Sequence, residues 1–178
     1  KPQKTAVLTL PELRRYVIAA ANTDVAPVLL LCCCGLRRGE ALGARRCDLS
    51  ADGILTVQVQ RLDGLTLSPV KTCASVRRIA LPPIVADCLR RQPLTLSGLF
   101  CEASPNRVYR AHRALLERLQ LPPVTLHGLR HSVASAAVLS GVPVKSVQGW
   151  LGHASYAITA DLYANHLPDV SSACERLF

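Results

Sequence analysis

The sequence lacks a hydrophobic run long enough to cross a membrane. Its longest apolar stretch covers residues 26–36, whereas a bilayer-spanning helix needs about 20 consecutive apolar residues. The first residues lack the basic segment, apolar segment and small-residue cleavage site of a secretory signal. Internal repeats and low-complexity segments are also absent from the sequence. These absences predict a soluble, intracellular protein.

The cysteines lack the spacing of a metal site. The sequence has eight cysteines but no Cys-x-x-Cys pair, and Cys32, Cys33 and Cys34 are consecutive inside the apolar run. Structural zinc ligands ordinarily come in pairs separated by about two to four residues. We therefore predict no metal site, and we expect these three side chains to be buried free thiols in a reducing compartment.

Acidic residues are scarce relative to basic residues. The 178 residues include 21 lysines and arginines against 12 acidic residues, which gives a formal net charge of +9. Such an excess favours a polyanionic partner such as nucleic acid, although charge alone is equally consistent with a basic protein that has no such role. Hydrophobic residues make up 49% of the chain, which argues against disorder and for a buried core.

Helix-forming patterns cover most of the sequence. Thr9 can cap a first helix, with Glu12 completing a capping box. Thr125 is expected to cap a later helix, and Gly35 and Gly141 are expected to end helices. Further helices are predicted at residues 24–34, 38–43, 84–91, 104–120, 125–140, 144–151, 156–163 and 168–176.

Two segments between these helices have strand patterns. Residues 54–59 and 75–81 are predicted to be strands, and an Asp63-Gly64 turn signal lies between them. We expect a small antiparallel β-sheet near the N-terminal third. The predicted fold class is therefore α+β and mainly α-helical.

Five widely separated residues together have the chemistry needed to handle a phosphodiester. They are Arg37, His127, Arg130, His153 and Tyr163. Two guanidinium groups can hold the oxygens of one phosphate, histidines can transfer protons, and a tyrosine hydroxyl can act as a nucleophile. Each residue alone has an ordinary structural explanation, such as an ion pair or half-buried packing, and only the combination is informative.

The local sequences around these residues resemble those of the tyrosine recombinase (phage integrase) family. Arg37 lies in a Gly-Leu-Arg-Arg-Gly-Glu segment, and His127 begins a His-Gly-Leu-Arg-His segment. His153 ends a Leu-Gly-His segment ten residues before Tyr163. The resemblance extends over residues 7–167.

Lys71 is a sixth candidate site residue, and it is identified by the same resemblance. It begins a Lys-Thr segment that has serine four residues later, arginine six residues later and an Ile-x-Leu end, which is similar to the family's β-hairpin. The resemblance implies a role for each residue: a phosphate clamp by Arg37 and Arg130, a general acid at Lys71, proton transfer by His127, a phosphate hydrogen bond from His153, and nucleophilic attack by Tyr163.

The resemblance also implies the reaction and the setting of the protein. Family members cleave and rejoin DNA through a 3′-phosphotyrosyl intermediate without a metal or cofactor. We expect double-stranded DNA as partner, a tetramer on DNA in the full-length protein, and exchange of the C-terminal tail between subunits. The expected origin is a phage, transposon or other mobile element, and the expected location is the bacterial cytoplasm, at the nucleoid.

The chain is expected to be one catalytic domain over residues 1–178. It begins at Lys1 and contains no methionine, so we expect a fragment that lacks the family's N-terminal core-binding domain. Two other functions fit part of the pattern, namely a type IB topoisomerase-like enzyme and a non-catalytic DNA-binding or architectural protein. The Leu-Gly-His segment and the short hairpin favour the recombinase, and a Tyr163→Phe variant separates an enzyme from a binding module.

Overall fold

Seven α-helices form the larger part of the computed structural model, which describes residues 6–70 and 75–152. They are α1 (Leu10–Ala20), α2 (Ala26–Cys33), α3 (Arg38–Gly43), α4 (Pro83–Arg90), α5 (Pro105–Arg118), α6 (Leu126–Leu139) and α7 (Val144–Leu151). The helices predicted at residues 156–163 and 168–176 lie outside the described residues. No helix in the described ranges is long and apolar enough to span a membrane.

Helix α2 is the centre of the core. All eight of its residues are buried, as expected for a helix that is apolar on every face. Helices α1, α3, α4, α5 and α6 pack around it. Cys32, Cys33 and Cys34 are buried free thiols, which confirms the core position predicted for them. Burial raises the pKa of Cys32 to about 12, so this thiol is protonated and unreactive at neutral pH.

The starts of α1 and α6, for which the sequence identified the capping residues Thr9 and Thr125, are confirmed. The carboxylate of Glu12 accepts a hydrogen bond from the backbone N–H of Thr9 at 2.7 Å, which completes the first turn of α1. The hydroxyl of Thr125 accepts from the backbone N–H of Gly128 at 2.9 Å. This cap fixes the first turn of α6, the helix that carries two of the candidate site residues.

Four short strands in the described part of the chain form two antiparallel pairs. They are β1 (Ile54–Val57), β2 (Val59–Arg61), β3 (Leu67–Pro69) and β4 (Arg77–Ala80). Strand β1 pairs with β4, and β2 pairs with β3. The expected antiparallel pairing of short strands is therefore confirmed, although the strands form two separate pairs.

The prediction of one continuous strand over residues 54–59 is wrong, because the chain changes partner at Gln58. The carbonyl of Gln58 accepts from the N–H of Val70, and its side chain donates to Asp48 at 2.8 Å. Strand β3 was not predicted, because it has only three residues and ends in Pro69.

Helix packing brings together the ends of three helices that are distant in the sequence. Helix α6 packs against α2 and α7, and α7 also packs against β4. Helix α3 follows α2 after a short turn and packs against both α2 and β2. As a result, the start of α3, the first turns of α6 and the end of α7 adjoin one another.

Candidate active site

Arg37 lies immediately before α3 and is oriented by a carboxylate one turn later. Its backbone N–H and its Nη1 each donate to Glu40, both at 2.8 Å. Its Nη2 donates to the carbonyl of Gly152 at 3.0 Å. The side chain of Arg37 is still 39% exposed, so the guanidinium is held in place and remains accessible to a ligand.

Arg130 lies in α6 and is fully buried. Its Nη1 donates to the carbonyl of Gly35, and its Nη2 donates to the carbonyl of Leu151 at 2.9 Å. Its Nε is buried without a hydrogen-bond partner among the described residues. Burial, followed by the neighbouring charge of Arg37, lowers the pKa of Arg130 to about 9, which leaves the side chain protonated at neutral pH.

His127 precedes Arg130 by one turn of α6, so the two side chains share a helix face. Partial desolvation, and then the positive charges of Arg130 and Arg37, lower the pKa of His127 below its usual value. The ring meets that of His131 edge-on, with centroids 4.3 Å apart. A neutral imidazole near the positive end of a helix can accept a proton beside a bound anion.

Glu40 is the carboxylate that joins two arginines at this site. Besides its bonds to Arg37, it accepts from Nη2 of Arg77 at 2.8 Å and from Nη1 of Arg77 at 3.2 Å. Burial opposes the ionised form of Glu40, but the hydrogen bonds and charges of Arg77 and Arg37 outweigh it and lower the pKa of Glu40. Glu40 is therefore ionised at neutral pH.

Arg77 is a residue of the site that the sequence interpretation did not single out. It is the arginine of the Lys-Thr segment pattern, six residues after Lys71. A signal was present, because Arg77 and the buried Ile79 lie two residues apart in β4 and therefore on the same face. A charged side chain on a buried face requires a buried partner.

Three consecutive carbonyl groups at the end of α7 each accept from a different arginine. Nε of Arg77 donates to Trp150 at 2.9 Å, and the next two carbonyls, those of Leu151 and Gly152, accept from Arg130 and Arg37. The last carbonyls of a helix have no partner within the helix. Here the arginines supply those partners and so fix the end of α7.

The charges at this site do not balance among the described residues. Three arginines, at positions 37, 77 and 130, adjoin the single carboxylate of Glu40. A buried guanidinium without a counter-ion is unfavourable. The described part of the site therefore favours the binding of an anion, and the planar donor sets of two arginines suit a phosphate.

The structure brings together three of the six residues predicted from the sequence. Arg37, His127 and Arg130 lie around the end of α7, as the hydrogen bonds and charge effects above require. The other three, Lys71, His153 and Tyr163, lie outside the described residues.

Comparison with protein families gives one match over most of the chain. The model described as "Phage integrase family" matches residues 7–169. The tyrosine recombinase XerC of Rhodospirillum centenum is 35% identical over 156 residues, which are 83% of this chain and 45% of that protein. The XerC protein of Methylobacterium sp. is 34% identical over 142 residues, or 76% of this chain and 43% of that protein. The chain thus spans about half the length of these relatives.

Solved structures share the fold at lower sequence identity. The Tn1549 transposon integrase in complex with transposon right end DNA superposes with a TM-score of 0.77 at 19% identity, over 99% of this chain and 66% of that one. The XerA recombinase gives a TM-score of 0.72 at 23% identity, over 99% of this chain and 64% of that one.

Proposed function

This chain belongs to the phage integrase family, and we propose that it carries the catalytic centre of a site-specific DNA recombinase. The reaction is the cleavage and rejoining of DNA through a 3′-phosphotyrosyl intermediate. The substrate is double-stranded DNA, and the acting protein is longer than this chain, which spans about half of its curated relatives.

The observation that supports this proposal is the uncompensated positive charge around the end of α7. Arg130 donates to the carbonyl of Leu151, and Arg37 donates to that of the next residue, Gly152. Each guanidinium has more donors than its carbonyl partners use. A scissile phosphate would supply the missing counter-charge, and the negative charge that builds up in the pentavalent state would be held more strongly than the ground state.

The remaining roles follow the family pattern. Tyr163 attacks phosphorus with its hydroxyl oxygen, and its proton passes to His127, whose lowered pKa leaves it neutral and able to accept. The bond from phosphorus to the 5′-oxygen breaks, and Lys71 gives that oxygen a proton. His153 donates a hydrogen bond to the phosphate. Attack by the free 5′-hydroxyl of a second strand reverses these steps and releases Tyr163.

The family pattern also implies the partners of this protein, which are DNA and further copies of the protein itself. The Tn1549 integrase was solved in complex with transposon end DNA. By analogy, we propose that the full-length protein acts as a tetramer on two duplexes, exchanges its C-terminal tail between subunits, and serves a mobile element in a bacterial cell, where it works at the nucleoid.

The decisive experiment is trapping of the covalent intermediate. The full-length protein is incubated with nicked suicide duplexes that carry the sequences flanking its gene, and adducts that survive SDS are resolved on a gel. We expect an adduct with the unchanged protein and none with Tyr163→Phe. Arg130→Ala should reduce adduct formation by at least about a hundredfold, as loss of one transition-state donor does.

Tyr109 supplies the matched control for the nucleophile. It is an exposed tyrosine on α5 whose side chain pairs with Arg113 of the same helix, so Tyr109→Phe should form the adduct at the normal rate. An adduct that persists in Tyr163→Phe contradicts the proposed nucleophile. Intact DNA binding without any adduct from the unchanged protein would instead indicate the architectural function.

A further inference from the structure

Arg77 makes contact with the described segments beside three candidate catalytic residues, Arg37, Lys71 and His153. Its Nη2 and Nη1 donate to Glu40, which orients Arg37. Its Nε donates to the carbonyl of Trp150, three residues before His153 in the sequence. Its Nη1 also donates to the carbonyl of Ser75 at 3.0 Å, four residues after Lys71. One side chain therefore links three segments that are distant in sequence.

Arg77 makes four hydrogen bonds to protein oxygens, whereas the Nε of Arg130 has no partner among the described residues. The side chain of Arg77 is 7% exposed and that of Glu40 is 2% exposed. Both Nη groups and the Nε group of Arg77 already donate to protein oxygens. We therefore expect any effect of Arg77 on a reaction at the phosphate to be transmitted through the groups that it holds.

The orientation of Arg37 depends on a carboxylate that Arg77 shares. Each oxygen of Glu40 accepts one bond from Arg37 and one from Arg77, so the carboxylate makes four hydrogen bonds in total. A carboxylate held by a bidentate guanidinium has a defined plane. Without the bonds from Arg77, Glu40 can rotate, and Arg37 loses the fixed partner that points it at the site.

The end of α7 depends on the same arginine. Trp150 is the first of the three carbonyls that the arginines cap, and Leu151 and Gly152 follow it. Because the three are consecutive, a shift at Trp150 displaces the carbonyls that hold Arg130 and Arg37. The two candidate clamp residues are therefore coupled to Arg77 through backbone as well as through Glu40.

We propose that Arg77 is a positioning residue for DNA strand cleavage, which sets the placement of Arg37, Arg130 and the backbone leading to His153. The proposal rests on the recombinase function proposed above. In this role Arg77 neither contacts DNA nor transfers a proton. Its effect is on the rate of the chemical step, because misplacement of reacting groups by about 1 Å can cost about a hundredfold in rate.

The test replaces Arg77 with lysine in the full-length protein. Lysine keeps the charge but has a single ammonium on a flexible stem, and it cannot bridge a carboxylate and two separate carbonyls as the planar fork does. We expect Arg77→Lys to form the suicide-substrate adduct about a hundredfold more slowly at saturating DNA, with a dissociation constant for the duplex that changes far less than the rate. A residue with a merely structural role would lower the melting temperature without this separation of rate from affinity.

Arg90 provides a matched control whose side-chain bonds go to residues outside the candidate site. It also bridges a carboxylate and a backbone carbonyl, donating to Asp87 at 3.0 Å and to Ala51 at 2.6 Å. Arg90→Lys therefore removes a similar set of bonds without touching the site. It should form the adduct at the normal rate, and equal slowing in both variants would overturn the proposal.

A second measurement decides the proposal without relying on activity. In the isotope-labelled chain, Arg77→Lys should shift the Nε–Hε resonances of Arg37 and Arg130 and the amide resonance of Gly152, whereas Arg90→Lys should leave them in place. Unchanged resonances in Arg77→Lys overturn the positioning role even if the adduct assay fails. If the resonances shift while the unchanged protein forms no adduct, the positioning stands and the recombinase function fails.

Discussion

Tyr16 and His112 form a buried polar pair between α1 and α5. The hydroxyl of Tyr16 lies 2.7 Å from Nδ1 of His112, and Nε2 of His112 lies 2.8 Å from the carbonyl oxygen of Val124. A carbonyl only accepts, so Nε2 carries the hydrogen and Nδ1 accepts from the tyrosine. The pair ties two helices to the segment just before the cap of α6, and it requires a neutral imidazole.

The unfolding free energy should therefore depend on pH through His112. Burial lowers the pKa of His112 below its usual value of 6.5, against a smaller opposing effect of the bond to Val124. Between the folded and unfolded pKa values the unfolded chain binds more protons, so the stabilisation is complete above about pH 6.5 and is lost as the pH falls. The slope for one such group approaches about 1.4 kcal/mol per pH unit.

Urea unfolding at several pH values between about 5 and 8 measures this slope. His112→Gln should flatten the acid side of the curve relative to the unchanged protein. Tyr16→Phe, which keeps the histidine buried, should retain a downward slope toward acid. His127, whose pKa is also lowered, adds a slope of the same sign to all three proteins. Parallel curves for His112→Gln and the unchanged protein would show that His112 does not titrate in this way.

At the residue scale, the sequence predicted three residues that the structure brings together, but not the contacts between them. Arg37, His127 and Arg130 were predicted to meet, and they do, because each lies in a local segment with a recognisable pattern. The contact of Arg77 with Glu40 joins positions 37 residues apart. Such a pair depends on how β4 packs beside α3, which no local pattern encodes.

At the scale of elements, helix ends were predictable because their signals are local. Thr125 caps α6 and Gly141 follows its end, as expected, and α7 covers the predicted residues. The change of strand partner at Gln58 was not predictable in this way. It depends on a bond from Val70 and on the distant Asp48, and pairing between strands is decided by such non-local contacts.

The glycine that ends α2 offers a prediction about how two elements pack. Gly35 has a φ of +87°, and a Cβ there would lie 2.8 Å from Cδ2 of Leu151 in α7. Gly35→Ala should cost about 1–2 kcal/mol for the left-handed backbone and a further ~1–3 kcal/mol for overpacking, because Leu151 is itself buried. Urea unfolding measures the sum.

Gly141 is the matched control for that variant. It has a φ of +88°, but a Cβ there meets nothing within 4 Å. Gly141→Ala should therefore show the backbone cost alone. The difference between the two variants isolates the contact between the end of α2 and α7, and equal losses would mean that Leu151 moves aside freely.

At the scale of the whole molecule, the excess of basic residues is not neutralised internally. Acidic side chains of the described residues are engaged in ion pairs with arginines, among them Asp24, Glu40, Asp48, Asp87 and Glu117. The net charge of +9 is therefore available to a polyanion. Composition predicted this much, whereas the placement of two guanidinium groups at one helix end required the tertiary fold.

Binding of this chain to DNA should be weak and strongly dependent on salt, because contacts from lysine and arginine to phosphate dominate such affinity. If the chain contacts about six phosphates, its affinity should fall about a thousandfold between about 50 mM and 200 mM salt. Fluorescence anisotropy with a labelled duplex measures the slope of log affinity against log salt. Tight binding that is independent of salt would contradict a phosphate-based interface.

Arg37 allows the same titration to test one contact of the proposed clamp. Its guanidinium is held at the site yet is 39% exposed, so it is accessible to a phosphate. Arg37→Ala should reduce the magnitude of the salt slope by about one. Arg90→Ala should leave the slope unchanged, since the bonds of Arg90 go to Asp87 and the carbonyl of Ala51 and none goes to a residue of the candidate site. Equal slopes for Arg37→Ala and the unchanged chain would mean that Arg37 serves Glu40 and Gly152 rather than DNA.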